Sequence, residues 1–341
     1  MRAWVSHGAG LDRLRLEERP VPRPAAGQVL LRMRAATVAL RDHKMAIGAY
    51  GSEAREPFVL GGEGVGEVVE WGEGVQGWRE GQRVNPLFVQ GWTEERVHPE
   101  AVARSALGGP SVDGCLAEYM VVPAGSLVAV PEHLSDAQAA TLPFAGLTAW
   151  CAVHEQARIG ARDVVVVQGT GGIPLFALQF AKQAGARVIV TSKNDEKLER
   201  VRALGADHTL NYEKQPQWSQ AVLELTAERG ADLVMDPGGS VTMAQSLRAL
   251  RPGGTVCVVG ALGASPDIAV SLPWLLGHNL RVQGSNAGPL QAHRAMAAAI
   301  AATALRPIVE RTLPFADAGL AIAAAPKAEQ FGKVCVLMER H

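Results

Sequence analysis

The 341-residue sequence predicts an α/β protein of two domains: a β-rich domain first, then a doubly wound parallel sheet. Three observations carry that expectation. Up to about residue 145 the chain shows short alternating or glycine-laced runs, with glycine and proline at short intervals. From about residue 146 apolar runs alternate with helical patterns, the rhythm of βαβ units. Four consecutive valines, Val164 to Val167, lead into Gly169-Thr170-Gly171-Gly172-Ile173-Pro174. An unbroken apolar run of this kind marks a strand buried on both faces.

Taken in order, residues 28–34 alternate loosely and read as a strand, and 61–70 read as a glycine-laced strand that becomes β-branched. Residues 85–115 show little periodicity, contain Trp92 and are expected to form a long loop, a common place for function. After the valine run comes a helix at 175–184, a second strand at 187–191 and a helix at 195–204. Further strands are read at 233–235 and 255–259, an alanine-rich helix at 295–305 and a closing strand at 333–337. The crossovers between parallel strands should be right-handed.

Composition removes several function classes. A net charge of −1, with no basic stripe interleaved by aromatics, argues against a nucleic-acid partner. Four dispersed cysteines make no disulfide scaffold, and a reducing, cytoplasmic setting is expected. No apolar stretch of signal-peptide length opens the chain. The long uncharged run 164–181 is broken by Gln168 and by glycine–proline punctuation, so no membrane span is expected.

The glycine turn between a buried strand and a helix is the strongest local signal. A dinucleotide pyrophosphate needs a tight turn, a close backbone approach and a helix N-terminus aimed at it. Gly169 and Gly171 fit the first two glycines of G-x-G-x-x-G, with Thr170, Gly172 and Ile173 beside them; the third position is Pro174. NAD sites end the second strand in a carboxylate for the ribose diol. Here that place is Ser192, with Lys193 next and Lys197 one turn into the helix. A hydroxyl and two cations suit a 2′-phosphate, so NADPH (NADP+) is expected over NADH.

Further motifs stand in order: Gly61-Gly62-Glu63-Gly64-Val65-Gly66, Gly81-Gln82-Arg83-Val84, Gly114-Cys115-Leu116-Ala117-Glu118-Tyr119, Leu142-Pro143 with Leu147-Thr148-Ala149-Trp150, Leu204-Gly205-Ala206-Asp207, and Phe331-Gly332-Lys333-Val334. With the glycine turn they resemble the medium-chain dehydrogenase/reductase superfamily, which holds zinc alcohol dehydrogenases and zinc-free quinone oxidoreductases. The resemblance covers essentially the whole chain. It implies a GroES-like catalytic domain at 1–145, completed by 286–341, and a Rossmann domain at 146–285, with the substrate cleft between them. It also implies a homodimer through the Rossmann sheets, with 280–283 as the candidate edge. Further cofactor contacts expected on these grounds are Thr148, Tyr212, Gly238, Gly260, Ala261, Ser285, Asn286 and Lys333.

The same resemblance places the three catalytic zinc ligands at Ala39, Gly62 and Phe144. None has a zinc-binding side chain, and no close group of four cysteines supplies a structural site. No zinc is therefore expected. Alcohol oxidation then lacks the ion that acidifies the hydroxyl. Hydride addition to an activated C=C needs only donors for an enolate oxygen and a proton source. The expected function is a zinc-independent, NADPH-dependent reductase of enones or quinones. A metal-free carbonyl reductase or alcohol dehydrogenase is the alternative in the same class. An NADPH-binding, crystallin-like protein without turnover is the alternative outside it.

The Asn-Tyr pair of many zinc-free relatives is replaced by Ala39-Leu40. Candidate catalytic residues are Asp42, Lys44 and Thr148, and candidate pocket residues are Leu40, Trp92 and Phe144. Each has a plainer reading. Asp42 would cap its helix or pair with Arg41, Lys44 would face solvent, Thr148 would be an N-cap, and Trp92 would be packing. Glu63 is expected to hold its glycine-rich loop.

Overall fold

The structure is a computed structural model that describes residues 1–50, 57–93, 104–109, 111–260, 265, 267–327 and 329–339. The glycine-punctuated N-terminal part forms β1 (Arg2–Ser6), β2 (Leu14–Glu18), β3 (Gln28–Val38), β4 (Phe58–Val59), β5 (Gly64–Trp71), β6 (Arg83–Pro86), β7 (Tyr119–Pro123) and β8 (Leu127–Ala129). The βαβ rhythm becomes β9 (Val164–Gln168), β10 (Arg187–Ser192), β11 (His208–Asn211), β12 (Ala231–Asp236), β13 (Leu250–Val258) and β14 (Arg281–Gly284). The chain closes with β15 (Val309–Pro314) and β16 (Lys333–Leu337).

Two units result. The first comprises Met1–Leu147 and Ala287–His341, the second Thr148–Asn286. In the first, β2-β1-β4 form a small sheet, and β15-β16-β3-β5-β6-β8 form a larger one with β7 also on β3. The C-terminal strand β16 thus lies between β15 and the N-terminal β3. Val29, Leu31, Met33, Leu60, Val68, Leu116, Phe315 and Val336 are fully buried in this unit's core. The stretch expected as a long loop is only partly one. Leu87, Phe88, Val89 and Leu107 are buried, because their apolar side chains pack inward although no period announces it.

In the second unit the six strands run parallel in the order β11-β10-β9-β12-β13-β14. The chain starts in the middle, builds outward to β11, then returns to build the other half. Ligands bind such sheets at the strand C-termini, where the order reverses, here between β9 and β12. Every residue of β9 and β12 is buried, as the valine run requires. β13 starts earlier than its apolar run suggests, at Leu250, and a register shift opposite Ala231 and Leu233 accommodates Pro252-Gly253-Gly254. The edge strand β14 is exposed along its length. All four cysteines are free and buried. Burial pushes the thiols of Cys151, Cys257 and Cys335 up to about 12, so they are inert thiols at neutral pH. Among the described residues no helix is long and apolar enough to cross a membrane.

Candidate functional site

The second unit gathers its candidates at the C-terminal ends of its strands. Gly169 turns the chain out of β9 with φ +84°, and its N–H donates to the Thr191 carbonyl at 2.7 Å, tying the turn to β10. A Cβ built on Gly169 or on Gly171 would meet nothing within 4 Å. The helix Gly172–Gln183 starts directly behind, and no side chain caps it. Its first-turn N–H groups and the positive end of its dipole therefore suit an anion. Pro174, in that first turn, removes one of those donors. An open backbone cradle at a helix N-terminus fits the pyrophosphate of a dinucleotide.

Ser192 ends β10 and is buried; its Oγ accepts the Asn194 N–H at 3.2 Å, which leaves the hydroxyl proton to donate. Asn194 caps the next helix by accepting from the Lys197 N–H at 3.0 Å. Lys193 is exposed between them. Tyr212 follows β11, its N–H donates to the Ser192 carbonyl at 3.3 Å, and its ring is half-exposed. Parallel pairing of β10 with β11 thus brings Ser192, Lys193 and Tyr212 together. The nearby carboxylate, Asp195, is engaged by Lys214 at 2.7 Å and Asn211 at 2.8 Å, which hold it below its ordinary range.

Across the switch point, sequence reasoning missed a polar relay. Gln168 donates to Ser246 at 2.7 Å, and Ser246 donates to the fully buried Asp236 at 2.5 Å. The other oxygen of Asp236 accepts from the N–H groups of Gly238 at 2.8 Å and Gly239 at 2.9 Å, and from Thr242 Oγ1 at 2.6 Å. Gly238 thus also has a structural role: its N–H donates to Asp236, and a Cβ there would lie 2.4 Å from Thr242 Oγ1. Gly260 passes close to Pro237, with 3.1 Å from a notional Cβ to the Pro237 carbonyl. Ala261 lies outside the described residues. Thr148 is fully buried, and Ser285 Oγ donates to its carbonyl at 3.3 Å. Asn286 is exposed.

In the first unit, Asp42 sits in the helix Leu40–Ala46 and is 2% exposed. Its Oδ2 accepts the Ala39 N–H at 2.8 Å, half of a capping box; alanine has no oxygen with which to return the bond. Burial pushes this carboxyl up, against the opposing pull of Arg41, and its Oδ1 has no partner among the described residues. Leu40 and Lys44, on the same helix, are half-buried. Trp92 is also half-buried, and its carbonyl accepts the Leu290 N–H at 2.9 Å at the start of the helix Leu290–Thr303. That helix carries His293, fully buried with neither ring nitrogen partnered among the described residues, and desolvation pushes it down to about 3.

Glu63 has a structural place. It accepts from Thr37 Oγ1 at 2.6 Å, from the N–H groups of Phe144 at 3.1 Å and Ala145 at 3.0 Å, and from the Lys333 ammonium. Lys333 is thereby one half of a buried ion pair, and breaking such a pair costs about 3–5 kcal/mol.

The three expected metal-ligand positions supply no ligand side chain. A Cβ on Gly62 would come 3.1 Å from Arg41 Nη1 and 3.1 Å from a Phe88 ring carbon. The Phe88 and Phe144 rings pack at 4.5 Å between centroids. The Arg41 guanidinium lies 5.0 Å from the Phe88 centroid and 5.3 Å from that of Tyr50. A cation and two phenyl rings fill this space. Among the described residues no group of three or more His, Cys, Asp or Glu is placed to hold a metal. Arg41 and Phe88 were missed from the sequence, where Arg41 read only as a partner for Asp42.

Comparison with known proteins agrees with this architecture. Residues 25–132 match the model of the alcohol dehydrogenase GroES-like domain, and 172–303 that of the zinc-binding dehydrogenase domain. A zinc-type alcohol dehydrogenase-like protein of Schizosaccharomyces pombe is 37% identical over 313 residues, 90% of each chain. The crystal structure of a candidate alcohol dehydrogenase from Sinorhizobium meliloti 1021 superposes with a TM-score of 0.92 at 36% identity, covering 98% of both chains. A 2-octenoyl-CoA carboxylase reductase solved with NADP and 2-octenoyl-CoA superposes with a TM-score of 0.86 at 25% identity, covering 99% of this chain and 87% of the other.

Proposed function

We propose that this chain, which belongs to the medium-chain dehydrogenase/reductase superfamily of oxidoreductases, reduces activated C=C bonds or quinones with NADPH and without zinc. The observation that carries this reading is the centre around Gly62, where Ala39, Gly62 and Phe144 offer no metal ligand and Arg41 and Phe88 take up the room. The choice of nucleotide rests on Ser192, Lys193 and Tyr212, a hydroxyl, a cation and a half-exposed ring at one strand end, with the local carboxylate already paired.

NADPH, when bound, supplies a hydride. Gly169, Thr170, Gly171, Gly172 and Ile173 would hold its pyrophosphate, and Ser192 with Lys193 its 2′-phosphate. In an enone the hydride forms the new C–H bond at the β-carbon, the C=C π pair moves to make an enolate, and a proton from water completes the α-carbon. The protein's part is to hold the carbonyl oxygen as its charge grows. The unsaturated thioester in the relative's complex is an activated C=C of this type. The homodimer implied by the family is supported by the exposed edge of the second unit, where Val282 on β14 joins Leu272, Trp274 and Leu276 as exposed apolar side chains.

The test is NADPH consumption by metal-free protein with cyclohexenone, a simple quinone and a saturated aldehyde. Turnover of the first or second alone is expected. Turnover of the aldehyde would point instead to a carbonyl reductase. Silence with all three despite tight NADPH binding would overturn catalysis of either kind. Stoichiometric zinc in the purified protein would overturn the metal-free reading.

A further inference from the structure

The space beside Gly62 is filled, by a group that is only partly hydrogen-bonded among the described residues. A guanidinium carries five N–H donors. Among the described residues Arg41 makes one long hydrogen bond, from Nη1 to the Gly108 carbonyl at 3.5 Å. Its buried Nε has no hydrogen-bond partner among the described residues. Of the neighbouring carboxylates, Glu63 is saturated by Lys333, Thr37 and two amides, while Asp42 gives its Oδ2 to the Ala39 amide and feels Arg41 by charge without a hydrogen bond to it. The side chain is nonetheless fixed in place, held against the faces of Phe88 and Tyr50. Glycines flank its donor edge. A Cβ at Gly62 would crowd Nη1 at 3.1 Å, and one at Gly109 would stand 3.6 Å from Nη2. A positioned cation with donors unengaged among the described residues, flanked by glycines, suits an oxygen anion.

We propose that Arg41 is a catalytic residue of this site: its guanidinium binds the substrate's carbonyl oxygen and stabilises the negative charge that develops there, the task a metal ion performs in zinc-dependent relatives. The proposal rests on the reductase reading and names the group that reading leaves open. In the reduction, hydride adds to the β-carbon, the C=C π pair forms the new double bond from the α-carbon to the carbonyl carbon, and the C=O π pair moves onto the oxygen. Arg41 pairs with that oxygen until water protonates the α-carbon, the carbonyl re-forms and hydroxide leaves. Arg41 keeps its own protons throughout and acts by charge and hydrogen bonding.

The probe is 4-nitrophenol, whose phenolate mimics an enolate oxygen and reports its ionisation by visible absorbance, titrated into the protein saturated with NADP+. Binding to the wild-type chain should lower the apparent pKa of the probe by about 1 unit or more, as a cation at close range does. Arg41→Met should abolish the shift and Arg41→Lys should keep part of it. NADPH affinity by calorimetry should be unchanged in both, which shows that they are folded. With cyclohexenone, Arg41→Met should lose about 100- to 1,000-fold in kcat, and added guanidinium ion should restore part of it. An equal probe shift in wild type and Arg41→Met, or no shift in wild type, overturns the proposal. A probe shift that depends on Arg41 in a protein that reduces no acceptor would leave the oxygen site standing and overturn the reductase reading alone.

Discussion

Glycine stands at the centre of both candidate regions, for opposite reasons. At Gly171 a side chain would meet nothing within 4 Å; at Gly62 it would meet a guanidinium and a phenyl ring at 3.1 Å. The first glycine leaves room for something that is not protein. The second leaves room for the protein itself. Backbone conformation does not force either residue to be glycine: Gly171 has φ −80°, open to any amino acid, and Gly62 lies outside the left-handed region. What they teach is that a glycine-rich string in a sequence reports a close approach and says nothing of who approaches.

The largest expected effect breaks the first half of the comparison. Gly171→Val puts a side chain where the pyrophosphate would lie, and NADPH affinity should fall by about 100-fold, or about 2.8 kcal/mol, by calorimetry. Thermal stability should barely move, because no protein atom is displaced. Unchanged affinity would show that the cradle binds something else.

Gly62→His inverts that pattern. The new side chain must displace Arg41 or Phe88, and overpacking of this kind costs about 1–3 kcal/mol in chemical denaturation. NADPH affinity should stay as it is, and the variant should take up no zinc, because Ala39 and Phe144 still supply no ligand. A stable variant would mean that the space beside Gly62 is not filled.

His293 sharpens the packed half of the comparison through pH. Burial holds it neutral down to about pH 3, whereas in the unfolded chain it takes up a proton below about pH 6.5. The stability this provides is present above pH 6.5 and is lost as pH falls toward 3. The slope is at most about 1.4 kcal/mol per pH unit in that window. His293→Leu should flatten the acid limb of a denaturation series, and an unchanged limb would show that His293 finds a partner or reaches water.

The two regions also differed in how far the sequence revealed them. The second unit was legible because its signals are local. Four valines in a row leave no polar face, and the turn that follows needs its glycines within three residues of one another. Ser192 and Tyr212 met because parallel pairing is periodic and places strand ends side by side. The first unit was less legible because its contacts are distant. Nothing near Gly62 announces Phe88, Lys333 finds Glu63 across 270 residues, and the buried run from Leu87 to Val89 follows no period. Lys333 and Gly238 share one feature the sequence hid: each donates to a carboxylate of the chain that lies far off or around a turn.

The pair of Glu63 and Lys333 has a consequence for the order of events on the ribosome. Glu63 emerges 270 residues before Lys333, which lies on a strand that must slot between β15 and β3 before the larger sheet is complete. Until then Glu63 lacks its countercharge, and one flank of β3 lacks its neighbour. The second unit is a continuous stretch of chain and is translated in full before that strand appears. The second unit is therefore translated before the first is complete, and a ribosome stalled short of residue 333 would carry a finished parallel-sheet unit and a larger sheet still waiting for β16.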